Sequence, residues 1–276
     1  MRKYAMVRDL LAQDGLFAFA QAGFASPDVI RLAHDPVYVD RFLDGTLDRS
    51  IIRRIGFPWS EGLVRRTLAS VGGSLAGAAE ALRYGWGGNL AGGTHHAFYS
   101  EGSGFCVFND IAVVIHWLRA EHDIRRVAVI DLDVHQGDGT ALLFADDPNV
   151  LTLSMHGKNN FPFRKQVSKI DVELADAMED AAYLSYLVEV LPRVFAFEPE
   201  FVIFQSGVDT LATDTLGRLS LTLDGLRERD RLVLESVRAA GVPLLITLGG
   251  GYSQPLEMTA EAHANTFRAA ARILAD

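Results

Sequence analysis

The sequence predicts an α/β fold, a single three-layer domain with a mainly parallel sheet and helices on both faces. Three observations predict it. Short apolar runs of strand length alternate with longer segments of helical periodicity. The runs are continuously apolar rather than alternating, as strands covered on both faces are. Each run is followed by polar or glycine-rich residues: GGTHH, DVHQGDG, SMHG, SGVDT and GGGY. In an open parallel sheet, ligands sit at the C-terminal ends of the strands, so the candidate chemistry falls on one edge.

The helical patterns cover 2–13, 36–45, 60–84, 109–122, 180–197, 223–240 and 255–274. Ser60 followed by Glu61 gives the long third helix a capped start. The strand runs are 89–92, 127–132, 150–155, 201–205 and 244–248. There is no internal repeat, low-complexity tract or linker, so one domain over residues 1–276 is the economical reading.

Composition bounds the function. At 276 residues, with 49% hydrophobic and 22% charged residues, the chain reads as a soluble globular protein. No apolar run has the length of a membrane span, and the charged N-terminus does not read as a secretory signal. The single cysteine, Cys106, excludes an intrachain disulfide and fits a cytoplasmic setting. A formal charge of −9 argues against nucleic-acid backbone binding and is weakly compatible with cationic substrates.

Residues 127–138, VAVIDLDVHQGD, run from a buried strand into Asp131, Asp133, His135 and Asp138. Buried charges need a partner, and a divalent cation is the natural one. In extended chain, Asp133 and His135 point to the same face. Asp209 ends a second buried run, FVIFQSGVD, and completes a set of two carboxylates and one imidazole. That set suits Zn²⁺ or Fe²⁺ with a position left for water. The plainer reading is that Asp209 caps the next turn.

His95 and His96 stand in tandem after a glycine pair, where side chains titrating near neutral pH serve as general base and acid. Asp131 and Asp138 are placed to accept from the imidazole N–H groups. Asp138 also reads as a helix N-cap. After the Gly249–Gly251 run, Tyr252 is a candidate donor to a developing oxyanion. Phe105 and Phe161 read either as walls of an apolar tunnel or as core, with core favoured. His156 lies near the site or supports a loop, while His34, His116, His122 and His263 read as packing or surface residues.

These residues resemble the zinc-dependent histone deacetylase family. GGTHHAF, GFCVFND, DLDVHQGDGT, SGVDT and GGGY occur in order between about residue 90 and 252, and HDPVYVDRFLDGTL resembles the family upstream. SMHGKNNFPFRK is most similar to bacterial relatives of the class IV enzymes. The resemblance implies an arginase–deacetylase fold with about eight strands. It implies zinc on Asp133, His135 and Asp209, and catalysis by His95, His96 and Tyr252 with Asp131 and Asp138 as carboxylate partners. It turns Phe105 and Phe161 into the aromatic pair of an acyl-lysine tunnel, which Gly104 also lines.

It further implies a structural K⁺ at Asp131, Asp133, His135, Ser154 and Met155, and a second monovalent site near Phe144 and Val150. Relatives usually carry one more strand before the segment that begins here at Met1, so either the start codon is misassigned or the sheet has an exposed edge. The reaction implied is hydrolysis of an N-ε-acyl-lysine amide in a protein or peptide. A small acyl-amine, such as an acetylpolyamine, is the alternative substrate. Leu216 falls where polyamine-preferring relatives carry Glu, which disfavours that alternative. A ureohydrolase of the same general fold would need further paired Asp ligands, which are not evident. A non-catalytic acyl-lysine binder would be expected to have lost Tyr252, a ligand or a histidine, and all are present. The oligomeric state is not legible.

Overall fold

The structure is a computed structural model that describes residues 2–274 of the chain. In chain order its elements are helices α1 (Arg2–Asp14), α2 (Pro27–Ile30), α3 (Pro36–Leu43), α4 (Arg49–Ile55) and α5 (Glu61–Tyr84), then strand β1 (Trp86–Asn89). Next come α6 (Asp110–His122), β2 (Val127–Asp131), α7 (Asp138–Leu143), β3 (Val150–Gly157), β4 (Ile170–Leu174) and α8 (Asp180–Phe195). The chain closes with β5 (Phe201–Gln205), α9 (Leu223–Ala240), β6 (Leu244–Thr247) and α10 (Leu256–Ile273).

The strands form one sheet in the order β1-β6-β5-β2-β3-β4, with every pairing parallel. The chain steps outward from β2 in one direction through β3 and β4, and on the other side β5 and β6 follow. The order therefore reverses between β2 and β5, which is where an open α/β sheet leaves a crevice for a ligand.

Alternate residues of each central strand feed opposite cores, as a period of two requires. Ala128, Ile130, Val202 and Phe204 join the core under α1, α8, α9 and α10. Val127, Val129, Phe201 and Ile203 join the core under α3, α5 and α6. That burial on both faces is the three-layer arrangement the continuous apolar runs predict.

Three expectations are corrected. The sheet has six strands among the described residues, not about eight. The first strand lies at Trp86–Asn89 rather than 89–92, because Gly92 and Gly93 take left-handed φ values of 78° and 75° and turn the chain away. Its WGGN sequence hides the strand, since glycine replaces apolar side chains where α5 crosses closely. A Cβ on Gly87 would lie 2.1 Å from the Gly77 carbonyl oxygen. β4 was not anticipated, because IDVEL alternates charge with apolar residues at a sheet edge and offers no continuous run. The short helices α2 and α4 also carry too few turns to show periodicity.

Candidate metal and acid–base site

Loops at the C-terminal ends of β1, β2, β5 and β6, together with the loops around residues 104 and 161, enclose a cavity of about 550 Å³. Its floor holds Asp133, His135 and Asp209. Their ligand atoms lie within 4.8 Å of one another. The His135 Nδ1 is 3.0 Å from Asp133 Oδ1 and 3.1 Å from Asp209 Oδ2. Asp209 does not cap its own turn. Its Oδ1 accepts from the Val134 amide at 2.8 Å, tying the loop after β5 to the loop after β2. Asp133 Oδ2 accepts from the Gly250 amide at 2.7 Å. Only glycine fits at 250, since a Cβ there would meet Asp209 Oδ2 at 1.9 Å.

The electrostatics show what these groups need. Burial raises the Asp209 carboxyl to about 7, and neighbouring Asp133 adds to that rise. Burial pushes His135 down, but its bonds to Asp133 and Asp209 win and raise it to about 10. A proton on His135 thus supplies the positive charge that two buried carboxylates demand. A divalent cation supplies the same charge while leaving the imidazole neutral to ligate. Two buried carboxylates and a partly buried imidazole, all convergent, fit such an ion.

Beside this triad the tandem histidines lie edge to edge, with Nε2 atoms 3.1 Å apart. His95 Nδ1–H donates to Asp131 Oδ2 at 2.7 Å, and His96 Nδ1–H donates to Asp138 Oδ1 at 2.7 Å. The two rings differ in charge. Burial opposes protonation of His95, but Asp131 outweighs it and raises the ring to about 9. Burial lowers His96 to about 4, helped by the adjacent positive His95. Asp138 is the first residue of α7 and not its N-cap, which is Gly137. Its Oδ1 is bonded by His96 and by the Gly139 amide.

The other expected residues reach the same cavity. Gly104, Phe105, Phe161, Leu216 and Tyr252 all line it. Phe105 is not core: it is 49% exposed, packs on Phe57 at 5.1 Å, and holds a left-handed φ of 66° fixed by its amide bond to the Ile55 carbonyl. Phe161 packs edge-on to His96 at 5.0 Å. Burial raises the Tyr252 phenol to about 12, so it stays a hydrogen-bond donor at neutral pH. Ser154 lies across from Asp131 in the β2–β3 register, with Met155 next to it. Phe144 ends α7 and Val150 opens β3. His156 is buried in β3, its Nδ1 bonded to Ser154 Oγ at 2.9 Å, outside the cavity lining. His34 and His263 are fully buried, as a packing role requires, and His116 is stacked on Phe144.

Four supporting residues were not anticipated. Asp110 accepts from the amides of Gly93 and Thr94 and from Thr94 Oγ1, which fixes the loop before His95. It stands in the GFCVFND motif, where it also opens α6. Gln205 donates to the Gly93 carbonyl at 3.0 Å; a polar residue closing an apolar strand was the clue. Lys3, 4% exposed, donates to the carbonyls of Gly249 and Gly251 at 3.0 and 3.3 Å and lies 4.8 Å from the Tyr252 ring centroid. Arg229, 0% exposed, pairs with Asp230 and donates to the Gly207 carbonyl at 2.6 Å, behind Asp209. Neither cation had a sequence signal, since both lie on amphipathic helices, where charged residues are ordinary, and Lys3 is 246 residues from the first carbonyl it holds.

A parallel sheet with a candidate metal triad and two carboxylate-backed histidines at its switch point defines the class: an α/β protein with a candidate metal and acid–base site. The chain belongs to the histone deacetylase family: the family model described as histone deacetylase domain matches residues 1–270. It is 43% identical over 274 residues to an uncharacterized protein of the bacterium Picosynechococcus, covering 98% of this chain and 91% of that protein. It is 38% identical to Histone deacetylase 2 of Arabidopsis thaliana, over 66% of this chain and 48% of that protein. Against Histone deacetylase RPD3 of Saccharomyces cerevisiae it is 35% identical, over 71% of this chain and 47% of that protein. The matches thus span about half the length of these two named deacetylases.

Proposed function

We propose that this chain is a zinc-dependent deacylase that hydrolyses the amide of an N-ε-acyl-lysine, working as one catalytic domain in the cytoplasm. One observation carries the reading: the Asp133, His135, Asp209 triad and the His95–His96 pair share the floor of one cavity. Zinc on the triad would supply Lewis acidity and a water made nucleophilic at neutral pH; Fe²⁺ would serve the same end.

The chain's own residues do the rest. His96, neutral near pH 7, accepts a proton on Nε2 while Asp138 holds its Nδ1–H. It then returns that proton to the leaving amine. His95, kept charged by Asp131, contributes a fixed positive field. The Tyr252 phenol donates to the developing oxyanion. Gly104, Phe105 and Phe161 wall the acyl-lysine side chain and keep water out, with Leu216 at the mouth. The proposal includes a structural K⁺ on the backbone of Asp131, Asp133 and His135 with Ser154 and Met155, and a second monovalent ion near Phe144 and Val150. Support for the first is the side-by-side pairing of β2 with β3.

The test is turnover of acyl-lysine peptides, acetyl through myristoyl, alongside an acetylpolyamine. Turnover abolished by a chelator, restored by zinc and lost in His96→Ala is the expected result. Binding of the peptides without turnover by the zinc-loaded protein would instead mark a non-catalytic acyl-lysine binder.

A further inference from the structure

The lining of the cavity is richer in arginine than the acidic composition of the chain predicts. The sequence holds 26 basic and 35 acidic residues. Yet the side chains lining the cavity include Arg53, Arg54 and Arg218, and its only carboxylates are Asp133 and Asp209 on the floor. Arg54 is ion-paired with Glu101, and Arg218 lies 3.5 Å from Asp176, acids that stand outside the lining. Arg53 makes no ion pair among the described residues, and its side chain is exposed. It comes from the last turn of α4, two residues before Ile55, whose carbonyl fixes Phe105. Arg218 comes from the segment between β5 and α9, two residues after Leu216. Exposed apolar groups share the lining with these arginines: Phe105 at 49%, Leu216 at 47% and Phe163 at 87%.

We propose that this arginine rim selects acyl-lysines flanked by carboxylate side chains, an acidic peptide segment. The inference rests on the deacylase reading and names the substrate class of that same site. An acyl-lysine entering the cavity leaves its flanking residues at the mouth, where a guanidinium forks onto a carboxylate. Apolar side chains in the same lining lower the local dielectric and lengthen the reach of the cations' field. The same rim repels ammonium groups, so an acylated polyamine or a lysine-rich segment is disfavoured. That reverses the weak expectation of cationic substrates drawn from the net charge.

The test uses zinc-loaded full-length protein and three matched acyl-lysine peptides, with two Asp, two Gln or two Lys residues flanking the acyl-lysine. Both kcat/KM and peptide affinity are measured at about 0.02 and about 0.5 M salt, between which the range of exposed charges shrinks severalfold. At low salt the expected kcat/KM for the acidic peptide exceeds that for the basic one by at least tenfold, with the ratio shrinking at high salt. Arg53→Glu should shrink or invert the ratio, and Arg218→Gln should reduce it; both sites are exposed, so the variants fold. Turnover that is blind to flanking charge, or that favours the basic peptide, overturns the rim alone. Charge-selective binding with no turnover of any peptide supports the rim and overturns the deacylase reading. Neither binding nor turnover of any peptide overturns both.

Discussion

His34 illustrates how a buried side chain sets a pH dependence. Its Nδ1–H donates to the Phe98 carbonyl at 3.0 Å, and its Nε2 accepts from the Asn109 amide at 2.8 Å, so the fold requires the neutral ring. Burial lowers its pKa to about 4, below the usual 6.5. A depressed pKa means the unfolded chain takes up the proton first as pH falls. The stability from this residue is complete above about pH 6.5 and is lost progressively down to about pH 4, amounting to about 3 kcal/mol. Denaturant melts of wild type and His34→Gln should show that the variant is less stable at pH 7.5 and that the gap narrows by pH 4. At the cavity, Tyr252→Phe should retain zinc by metal analysis while kcat falls by about 10²–10³. Lys3→Met should lower kcat more than it raises KM, because the two carbonyls it bonds belong to the loop that presents Tyr252. Lys3→Arg, which keeps charge and donors, should recover part of that loss.

Among the elements, α5 and β1 are tied by close approach. Ser60 Oγ accepts from the Leu63 amide at 3.1 Å, so the predicted cap is real, and Ser60→Ala should cost about 1 kcal/mol in a urea melt. Gly87→Ala should cost more, about 1–3 kcal/mol, because the added methyl enters the Gly77 carbonyl and forces α5 off the sheet. Equal melting of Gly87→Ala and wild type would show that α5 can shift freely. Helices α5, α6, α8, α9 and α10 were legible because each is at least 13 residues long and carries helical periodicity, with a cap at Ser60 for α5. β2, β3, β5 and β6 were legible as buried apolar runs. β1 and β4 were not, one built on glycines against a helix and the other alternating at an edge.

At the scale of the whole molecule, the candidate metal triad joins the loops after β2 and β5, with His135 and Asp209 74 residues apart in sequence. An ion that binds only when those loops are assembled stabilises the fold by mass action. Zinc at a hundredfold excess over its dissociation constant should therefore raise stability by about 2.7 kcal/mol, and a chelator should lower Tm accordingly. Asp209→Asn should abolish the zinc-dependent part of Tm while leaving the chain folded, since its burden of buried negative charge also falls. None of the helices among the described residues is long and apolar enough to cross a membrane.

The sequence by itself determined the parallel α/β architecture, the strand ends that carry chemistry, and the identity of the residues in the cavity floor. It could do so because burial writes continuous apolar runs, and because charged side chains at the ends of such runs stand out. Tertiary structure alone decided how the two histidines differ: each has a carboxylate at 2.7 Å, but several carboxylates favour the charged His95, and burial beside that charge keeps His96 neutral. It alone placed Lys3 and Arg229 behind the site, and it alone gathered Arg53, Arg54 and Arg218 at the mouth. Net charge sums over the whole surface, whereas a substrate meets only the few groups that folding brings to the opening.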